Sequence, residues 1–147
     1  MKISTKGRYA VRFLLDLALH DMSKPVSLNE IAGRQDISEK YLWQIASNLR
    51  TAGFVSAVPG KRGGFFLSKP PEMITLKDIL DSLEGNGALV DCVHDRKICK
   101  RSSTCVAREV WQEVNRRFAE SLASVTLAQM ISKSKKHADQ VTLSYVI

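Results

Sequence analysis

A short basic turn between two apolar runs is the feature of the sequence that most restricts its fold. Residues 59–64 are Pro-Gly-Lys-Arg-Gly-Gly, and they separate an apolar, partly β-branched run at residues 54–58 from a second apolar run at residues 65–67. Apolar runs of this length joined by a glycine-rich turn are typical of a β-hairpin. We therefore predict two short antiparallel strands at this point of the chain.

Two helices are predicted before residue 35. Apolar residues recur at helical spacing over residues 6–21, and Thr5 is a possible cap for this helix. Ser27 and Glu30 then form a capping box, in which each side chain accepts a free backbone amide of the other residue, and a short second helix follows. The apolar stripe of the first helix is expected to be buried.

A third helix follows a tight turn at residues 35–37. Ser38 is its predicted cap, Gly53 marks its end, and its apolar residues face inward. The order of elements is helix, helix-turn-helix and basic glycine-rich hairpin, which is the order of a winged helix-turn-helix. We therefore predict this fold for residues 1–70, in a chain that is mainly α with a small β-hairpin.

The second half of the chain is predicted to be helical, apart from one irregular segment. A capping box opens a connecting helix within residues 71–90. Residues 91–105 show no helical or strand period and contain all three cysteines. Residues 104–125 are expected to form the longest helix, and residues 126–147 a last short helix with a solvated tail.

The charge of the chain is concentrated in its first half. The sequence has 22 lysines and arginines against 15 acidic residues, a net charge of +7, and residues 1–70 hold 11 of the basic and 5 of the acidic ones. A polyanion such as nucleic acid is the natural partner for a basic half, although a solubilising surface would give the same count. No apolar run is long enough to cross a membrane, and no signal peptide is visible. We expect a cytoplasmic protein.

One face of the third predicted helix carries polar and basic side chains opposite the buried stripe. Such groups can bond to base edges in a major groove or reach phosphates, and the free amides at the helix start favour a phosphate. The basic hairpin tip suits a minor groove or a row of phosphates, and the start of the first helix, including Arg12, could touch flanking phosphates. A solvated helix face and an ordinary surface turn would show the same residue types. The candidate residues for binding double-stranded DNA are Lys6, Arg8, Ser38, Glu39, Lys40, Tyr41, Trp43, Gln44, Ser47, Arg50, Lys61, Arg62 and Gly63.

The three cysteines, Cys92, Cys99 and Cys105, lie within fourteen residues of one another. An odd number does not suggest a disulfide framework, and the paired spacing typical of structural zinc is missing. Three reduced thiols in a mobile loop are one interpretation. Thiolates flanked by four cations and a helix start also suit a soft metal or an iron-sulfur cluster. A cluster needs a fourth ligand, which could come from an exogenous thiol, a partner chain, or the local candidates Asp91, His94, Asp95 and Glu109.

Five separated motifs resemble the Rrf-type winged-helix transcription regulators, a family that includes IscR, NsrR and CymR. The motifs are the opening at residues 1–11, residues 37–42, 49–53 and 60–65, and the three-cysteine loop. The resemblance covers about residues 1–130 and is strongest to the three-cysteine IscR-like branch. It implies a homodimer in which the helix at residues 104–125 crosses its partner. It also implies a cluster, of the 2Fe-2S kind, held by the three cysteines, which changes DNA affinity with iron, oxygen or nitric oxide.

The chain departs from the IscR-like pattern at the fourth ligand. Those members place a histidine three residues after the last cysteine, whereas this chain has Arg108, which is not an iron ligand. Other members draw ligands from the first helix, where this chain has Arg8 and Arg12. Two alternatives stay open. One is a cluster-free regulator like CymR, controlled by a partner protein or by thiol chemistry. The other is an enzyme with Cys105 as nucleophile, for which no histidine and acid pair is evident.

Overall fold

The computed structural model describes residues 3–20, 22–85 and 87–145. These ranges are mainly helical with one two-stranded sheet, as predicted. None of the helices in them is both long and apolar enough to span a membrane. The elements in chain order are α1 (Thr5–Leu19), α2 (Leu28–Gln35), α3 (Glu39–Thr51), β1 (Val55–Val58), β2 (Gly64–Leu67), a 3-10 helix (Pro71–Met73), α4 (Leu76–Glu84), α5 (Asp91–His94), a second 3-10 helix (Arg96–Ile98), α6 (Val106–Ala123) and α7 (Leu127–Tyr145).

Short-range side-chain caps determine where several helices begin. At the start of α2, the Glu30 amide donates to Ser27 Oγ at 3.2 Å, and the Ser27 amide donates to Glu30 Oε2 at 2.9 Å. The same reciprocal pair joins Thr75 and Asp78 at the start of α4. Ser38 caps α3 by accepting the amide three residues on. These caps confirm the predicted helix starts.

The start of α1 and the cysteine segment differ from expectation. Ser4, rather than Thr5, caps α1, because its hydroxyl accepts the Gly7 amide at 3.0 Å and Thr5 is already helical. Residues 91–105 are not an irregular loop, since they contain α5 and the second 3-10 helix. Each of these is a single turn, which is too short to show a periodic pattern in the sequence.

The last helix was expected to be short, and that prediction is wrong. α7 has 19 residues and α6 has 18, so the helix predicted at residues 104–125 is not the longest in the described ranges. Residues 132–136, expected to be a solvated tail, continue α7 with mostly exposed side chains. Lysine and alanine favour helix even where nothing packs on them, which explains the extension. Residues 146 and 147, for which docking or fraying was expected, lie outside the described residues.

The predicted hairpin is present, and backbone hydrogen bonds join it to the connection between α1 and α2. Its strands pair antiparallel, with Val58 opposite Gly64. The adjacent Phe65 exchanges two backbone hydrogen bonds with Val26, in the connection between α1 and α2, at 2.9 and 2.8 Å. Gly64 has φ 156°, and a Cβ there would come within 2.3 Å of the Val26 carbonyl oxygen. Glycine at this position therefore allows the hairpin to approach the body so closely.

The core of the described residues is one cluster that draws on both halves of the chain. α1, α2, α3 and β1 supply most of it, through side chains such as Phe13 and Leu42. Ile74, Ile79 and Leu127 are also fully buried in it. Backbone bonds of 2.8 Å from Leu76 to Val125 and from Leu127 to Ile74 bring the starts of α4 and α7 together. Through this junction, α7 returns to pack against α1.

Candidate nucleic-acid interface and cysteine segment

α3 presents two different faces. Its inward face is formed by side chains that are fully buried, namely Leu42, Ile45, Ala46 and Leu49. On the outward side Lys40, Trp43, Gln44 and Arg50 are exposed, and Ser47 is half-buried. The core thus fixes the orientation of the helix and leaves an outward face with cationic, amide, hydroxyl and aromatic groups. We call this outward face, formed by Lys40, Trp43, Gln44, Ser47 and Arg50, the α3 face.

Three other candidate residues of this region have partners within the protein. The Ser38 hydroxyl accepts the Tyr41 amide at 3.3 Å, and Glu39 Oε2 accepts from the Asn29 side-chain amide at 3.3 Å. The Tyr41 ring packs edge-on against the ring of Tyr9, with the centroids 5.9 Å apart. These contacts hold the start of α3 against α2 and α1.

A buried carboxylate, which sequence reasoning missed, ties α2 to α1. Asp16 is 3% exposed, and it accepts hydrogen bonds from Arg34 at 2.7 and 3.1 Å and from Gln35 at 2.8 Å. Burial raises the pKa of Asp16, but the hydrogen bonds from Arg34 and Gln35 and the charge of Arg34 together lower it below its usual value. An acidic residue beside the apolar stripe of α1 was the feature of the sequence that could have indicated a buried carboxylate. The network fixes the helix-turn-helix on α1.

The three cations of α1 differ in their partners: Arg12 bonds to α2, whereas Arg8 bonds only within α1. Arg12 donates from Nε to Gln35 Oε1 at 3.0 Å and also to the Gln35 carbonyl, and its guanidinium lies 5.2 Å from the centre of the Tyr9 ring. Arg8 is exposed and donates to a neighbouring hydroxyl of its own helix, and Lys6 is half-buried. Arg12 therefore supports the turn after α2, although its side chain, like that of Arg8, is exposed.

The hairpin tip presents two cations on a closed turn. The Gly63 amide donates to the Gly60 carbonyl at 3.0 Å, and Lys61 and Arg62 between them are exposed. Neither cation forms an ion pair with any of the residues that the structure describes. The tip can therefore offer both charges to an anionic partner.

The three cysteines lie at three different places of one segment. Cys92 belongs to α5, Cys99 follows the second 3-10 helix, and Cys105 precedes α6 as its N-cap residue. All three are half-buried free thiols, so the donor chemistry suits a thiolate-bound iron-sulfur cluster. Their positions do not assemble one: within the described ranges, no three Cys, His, Asp or Glu side chains are grouped to hold a metal.

The local candidates for a fourth ligand point to solvent rather than to a common centre. All four side chains, those of Asp91, His94, Asp95 and Glu109, are exposed. Asp95 also caps the second 3-10 helix by accepting the Lys97 amide at 2.9 Å.

Arg108 has a role that its position in the sequence did not reveal. It is only 5% exposed, and its Nε donates to the Cys92 carbonyl at 2.8 Å. This bond joins the first turn of α6 to α5, across sixteen residues of chain. Arg108 therefore holds the Cys92 end of the segment against α6.

α6 carries an apolar face that the rest of the described chain leaves open. Its exposed apolar side chains are Val106, Val110, Trp111 and Val114, with exposed fractions between 41% and 71%. Most exposed apolar residues in a monomer are scattered, whereas these four lie together in the N-terminal half of α6. A face of this kind is typical of a surface that associates with another protein chain.

A helix-turn-helix held on a buried core, with an exposed polar and basic face on its second helix and a cationic hairpin beside it, defines a winged-helix DNA-binding transcription regulator. The comparisons with known proteins agree. A family model described as "Rrf2: Iron-dependent Transcriptional regulator" matches residues 3–133. The chain belongs to the Rrf2 family of transcription regulators.

Three similar proteins illustrate the match. The protein rrf2 of Nitratidesulfovibrio vulgaris is 37% identical over 131 residues, which are 89% of this chain and 87% of that protein. The structure of CymR, the global cysteine regulator of B. subtilis, is 37% identical with a TM-score of 0.75, over 90% of this chain and 98% of CymR. The structure of T. potens IscR is 38% identical with a TM-score of 0.75, over 93% of this chain and 90% of that protein. These regulators confirm the predicted winged-helix fold and the prediction that the chain is not an enzyme.

Proposed function

We propose that this regulator binds a DNA operator as a cytoplasmic homodimer, through the α3 face and the hairpin tip of each protomer. The observation that carries the proposal is the exposure of the α3 face opposite a fully buried stripe. That arrangement presents the amide of Gln44 and the hydroxyl of Ser47 to base edges, with Lys40 and Arg50 beside them for guanine or phosphate. Lys6 and Arg8 would contact the flanking backbone.

The open apolar face of α6 supports the homodimer. Val106, Val110, Trp111 and Val114 lose water contact if the α6 of a second copy packs on them, and burial of apolar surface is the main driving force for association. A two-fold dimer matches a near-palindromic operator, with half-sites roughly 34 to 36 Å apart or a multiple of that distance.

The salt dependence of DNA binding tests the interface. If a dimer makes about eight phosphate contacts, the logarithm of the affinity falls with the logarithm of the salt concentration at a slope near −7. The DNA would be a duplex enriched from a random library by the purified protein. In the variant Lys61→Gln/Arg62→Gln, four cations per dimer are lost, so we expect the slope to become shallower by about 3.6.

The matched control is Lys133→Gln/Lys135→Gln, which removes the same charge from the exposed part of α7 and should leave the slope unchanged. Failure to enrich any sequence, or an affinity that does not depend on salt, would contradict the proposed function. An equal effect of both double substitutions would contradict only the role of the hairpin tip.

For the signal, we propose that Cys92, Cys99 and Cys105 bind an iron-sulfur cluster of the 2Fe-2S kind. Three free thiols in one segment beside four cations support this proposal, as does the likeness to T. potens IscR. The segment would have to bring the thiols together, since no three such side chains are grouped to hold a metal in the part of the chain that the structure describes. A bound cluster would supply a group that responds to iron or oxidants, while Arg108 keeps the segment attached to α6.

Purification without oxygen tests the cluster. We expect visible absorption with matching amounts of iron and acid-labile sulfide, and similar loss of both in Cys92→Ser, Cys99→Ser and Cys105→Ser. Thr104→Ser, in the same segment, is the control and should keep the iron. A protein without iron after anaerobic reconstitution would refute the cluster, and iron retained in all three cysteine variants would refute these ligands.

A cluster-free regulator is the second candidate, and a specific observation favours it. Arg108 lies where IscR-like members have their histidine, and it is engaged with the Cys92 carbonyl. CymR of B. subtilis matches the fold as well as the IscR structure does. In that case the protein stays colourless, and its DNA affinity responds to a partner protein or to thiol reagents.

A further inference from the structure

We propose that Trp43 is a specificity-determining residue that recognises the 5-methyl group of a thymine in each operator half-site. The proposal rests on the proposed DNA-binding function and adds the base that an aromatic side chain on the α3 face would select. The ligand group is defined by chemistry: a methyl group presented on a base edge in the major groove.

Trp43 has no role inside the protein that would explain it. Its side chain is 61% exposed, and it has no ring contact or hydrogen bond with any residue that the structure describes. The tyrosines nearby behave differently, because Tyr9 and Tyr41 are half-buried and pack on each other. A single exposed apolar residue is ordinary on a protein surface, so exposure alone decides nothing.

The position of Trp43 in α3 is where a helix-turn-helix would contact DNA bases. It is the fifth residue of α3 and follows Lys40 and precedes Ser47 by about one helical turn each, so it lies within the α3 face. The N-terminal half of the second helix of a helix-turn-helix is the part that contacts base edges. The buried Ile45, nearly opposite Trp43 on the helix, holds α3 so that Trp43 lies at the edge of the exposed side and away from the core.

The chemistry of the major groove then selects the contact. Base edges in this groove present hydrogen-bond donors and acceptors, and the thymine methyl is the apolar group among them. The indole ring is apolar except for one N–H donor, so the thymine methyl is the group on a base edge that matches its apolar surface. Gln44 and Ser47 supply the polar contacts beside it. Trp43 would therefore distinguish thymine from cytosine by packing.

Replacement of thymine by uracil removes the methyl group and changes nothing else on the base edge. From the duplexes enriched by the wild-type protein, each thymine of the half-site is replaced in turn and the affinity is measured. We expect one position per half-site at which uracil weakens wild-type binding by about fourfold, the value for one methyl-sized apolar contact.

Two variants identify the residue responsible. Trp43→Phe keeps an apolar ring without the N–H group and should retain a thymine preference at that position. Trp43→Ala should bind the thymine and uracil duplexes equally. Because the side chain is exposed, both variants should unfold at the wild-type temperature. Loss of folding would then not explain a change in DNA affinity.

Three results would overturn the proposal. In the first, uracil has no effect on affinity at any position although specific binding persists. In the second, uracil weakens binding by the same factor in wild type and in Trp43→Ala. In the third, Trp43→Phe loses the preference as completely as Trp43→Ala, which would show that an apolar ring at this position is not what recognises the methyl group. Failure of enrichment itself is a different outcome, since it contradicts the proposed function.

Discussion

Replacement of Asp16 by asparagine tests how the helix-turn-helix is held on α1. Asparagine keeps the size of the side chain but removes the charge, and it turns one acceptor oxygen into a donor that faces Arg34 or Gln35. Three hydrogen bonds of 2.7 to 3.1 Å depend on this carboxylate, two of them from a guanidinium. The substitution therefore breaks a pair whose acidic member is buried.

The expected loss of stability follows from these contacts. A hydrogen bond to a charged group contributes about 1.5 to 3 kcal/mol, and loss of one partner of a buried pair costs about 3 to 5 kcal/mol. The Arg34 side chain is 34% exposed and can regain water, which reduces the cost. We expect a loss of about 2 to 3 kcal/mol in the free energy of unfolding, or about 5 to 10 °C in Tm for a chain of this length.

The assay is thermal or urea unfolding followed by circular dichroism, with Asp81→Asn as the matched control. Asp81 pairs with Lys77 on the surface of α4, where both side chains are about one-third exposed, so the same substitution should cost less than about 1 kcal/mol. Equal effects of the two substitutions at neutral pH would refute the importance of the buried network.

The pH dependence gives an independent check. The pKa of Asp16 lies below its usual value of 3.8 in the folded protein, so its ionised form is stabilised by folding. This contribution is present above the usual pKa and is lost as the pH falls through the folded value. The difference in stability between wild type and Asp16→Asn should therefore be full at pH 7 and shrink below about pH 4. A difference that grows on acidification would contradict the reasoning.

Three further predictions concern other parts of the fold. A Cβ at Gly7 would lie 2.3 Å from Glu84 Oε1, which accepts from both the amide and the hydroxyl of Ser4, so Gly7→Ala should displace this carboxylate and lower the stability by about 1 kcal/mol. Gly33→Ala has free space within α2 and should raise stability by about 0.5 to 1 kcal/mol in the same unfolding assay; a stabilising Gly7→Ala would count against the close packing of α1 on α4. Hydrogen bonds from Arg116 and Arg117 lower the pKa of Glu113 to about 2, so Arg116→Ala should raise that pKa in an NMR titration, and an unchanged value would show that the pair does not persist in solution.

Local interactions explain why much of the fold was predictable. The capping boxes at Ser27 and Thr75 join residues three apart, and the glycine-rich turn at residues 59–64 joins neighbouring strands. The information for such contacts lies in a few consecutive residues. The same is true of the α3 face, because the buried stripe on the opposite side is set by helical spacing.

Contacts between distant parts of the chain were not predictable. Asp16 and Arg34 are 18 residues apart, and Ser4 and Glu84 are 80 residues apart. No local pattern tells which cation engages a given carboxylate. For the same reason, the sequence could not show that Arg12 bonds to Gln35, 23 residues away, while Arg8 bonds only to its own helix.

The burial of Leu127 in the core has a consequence for how the protein is made. The side chains of residues 1–70 pack against Ile74, Ile79 and Leu127, so the core that supports α3 is complete only when the last of these is present. Synthesis proceeds from the N-terminus at about 5 to 20 residues per second, so Leu127 is added to the chain roughly 3 to 11 seconds after residue 70. During that interval the nascent chain exposes an unfinished apolar surface. Every winged helix-turn-helix that has folded completely therefore belongs to a chain that already carries its three cysteines and its α6.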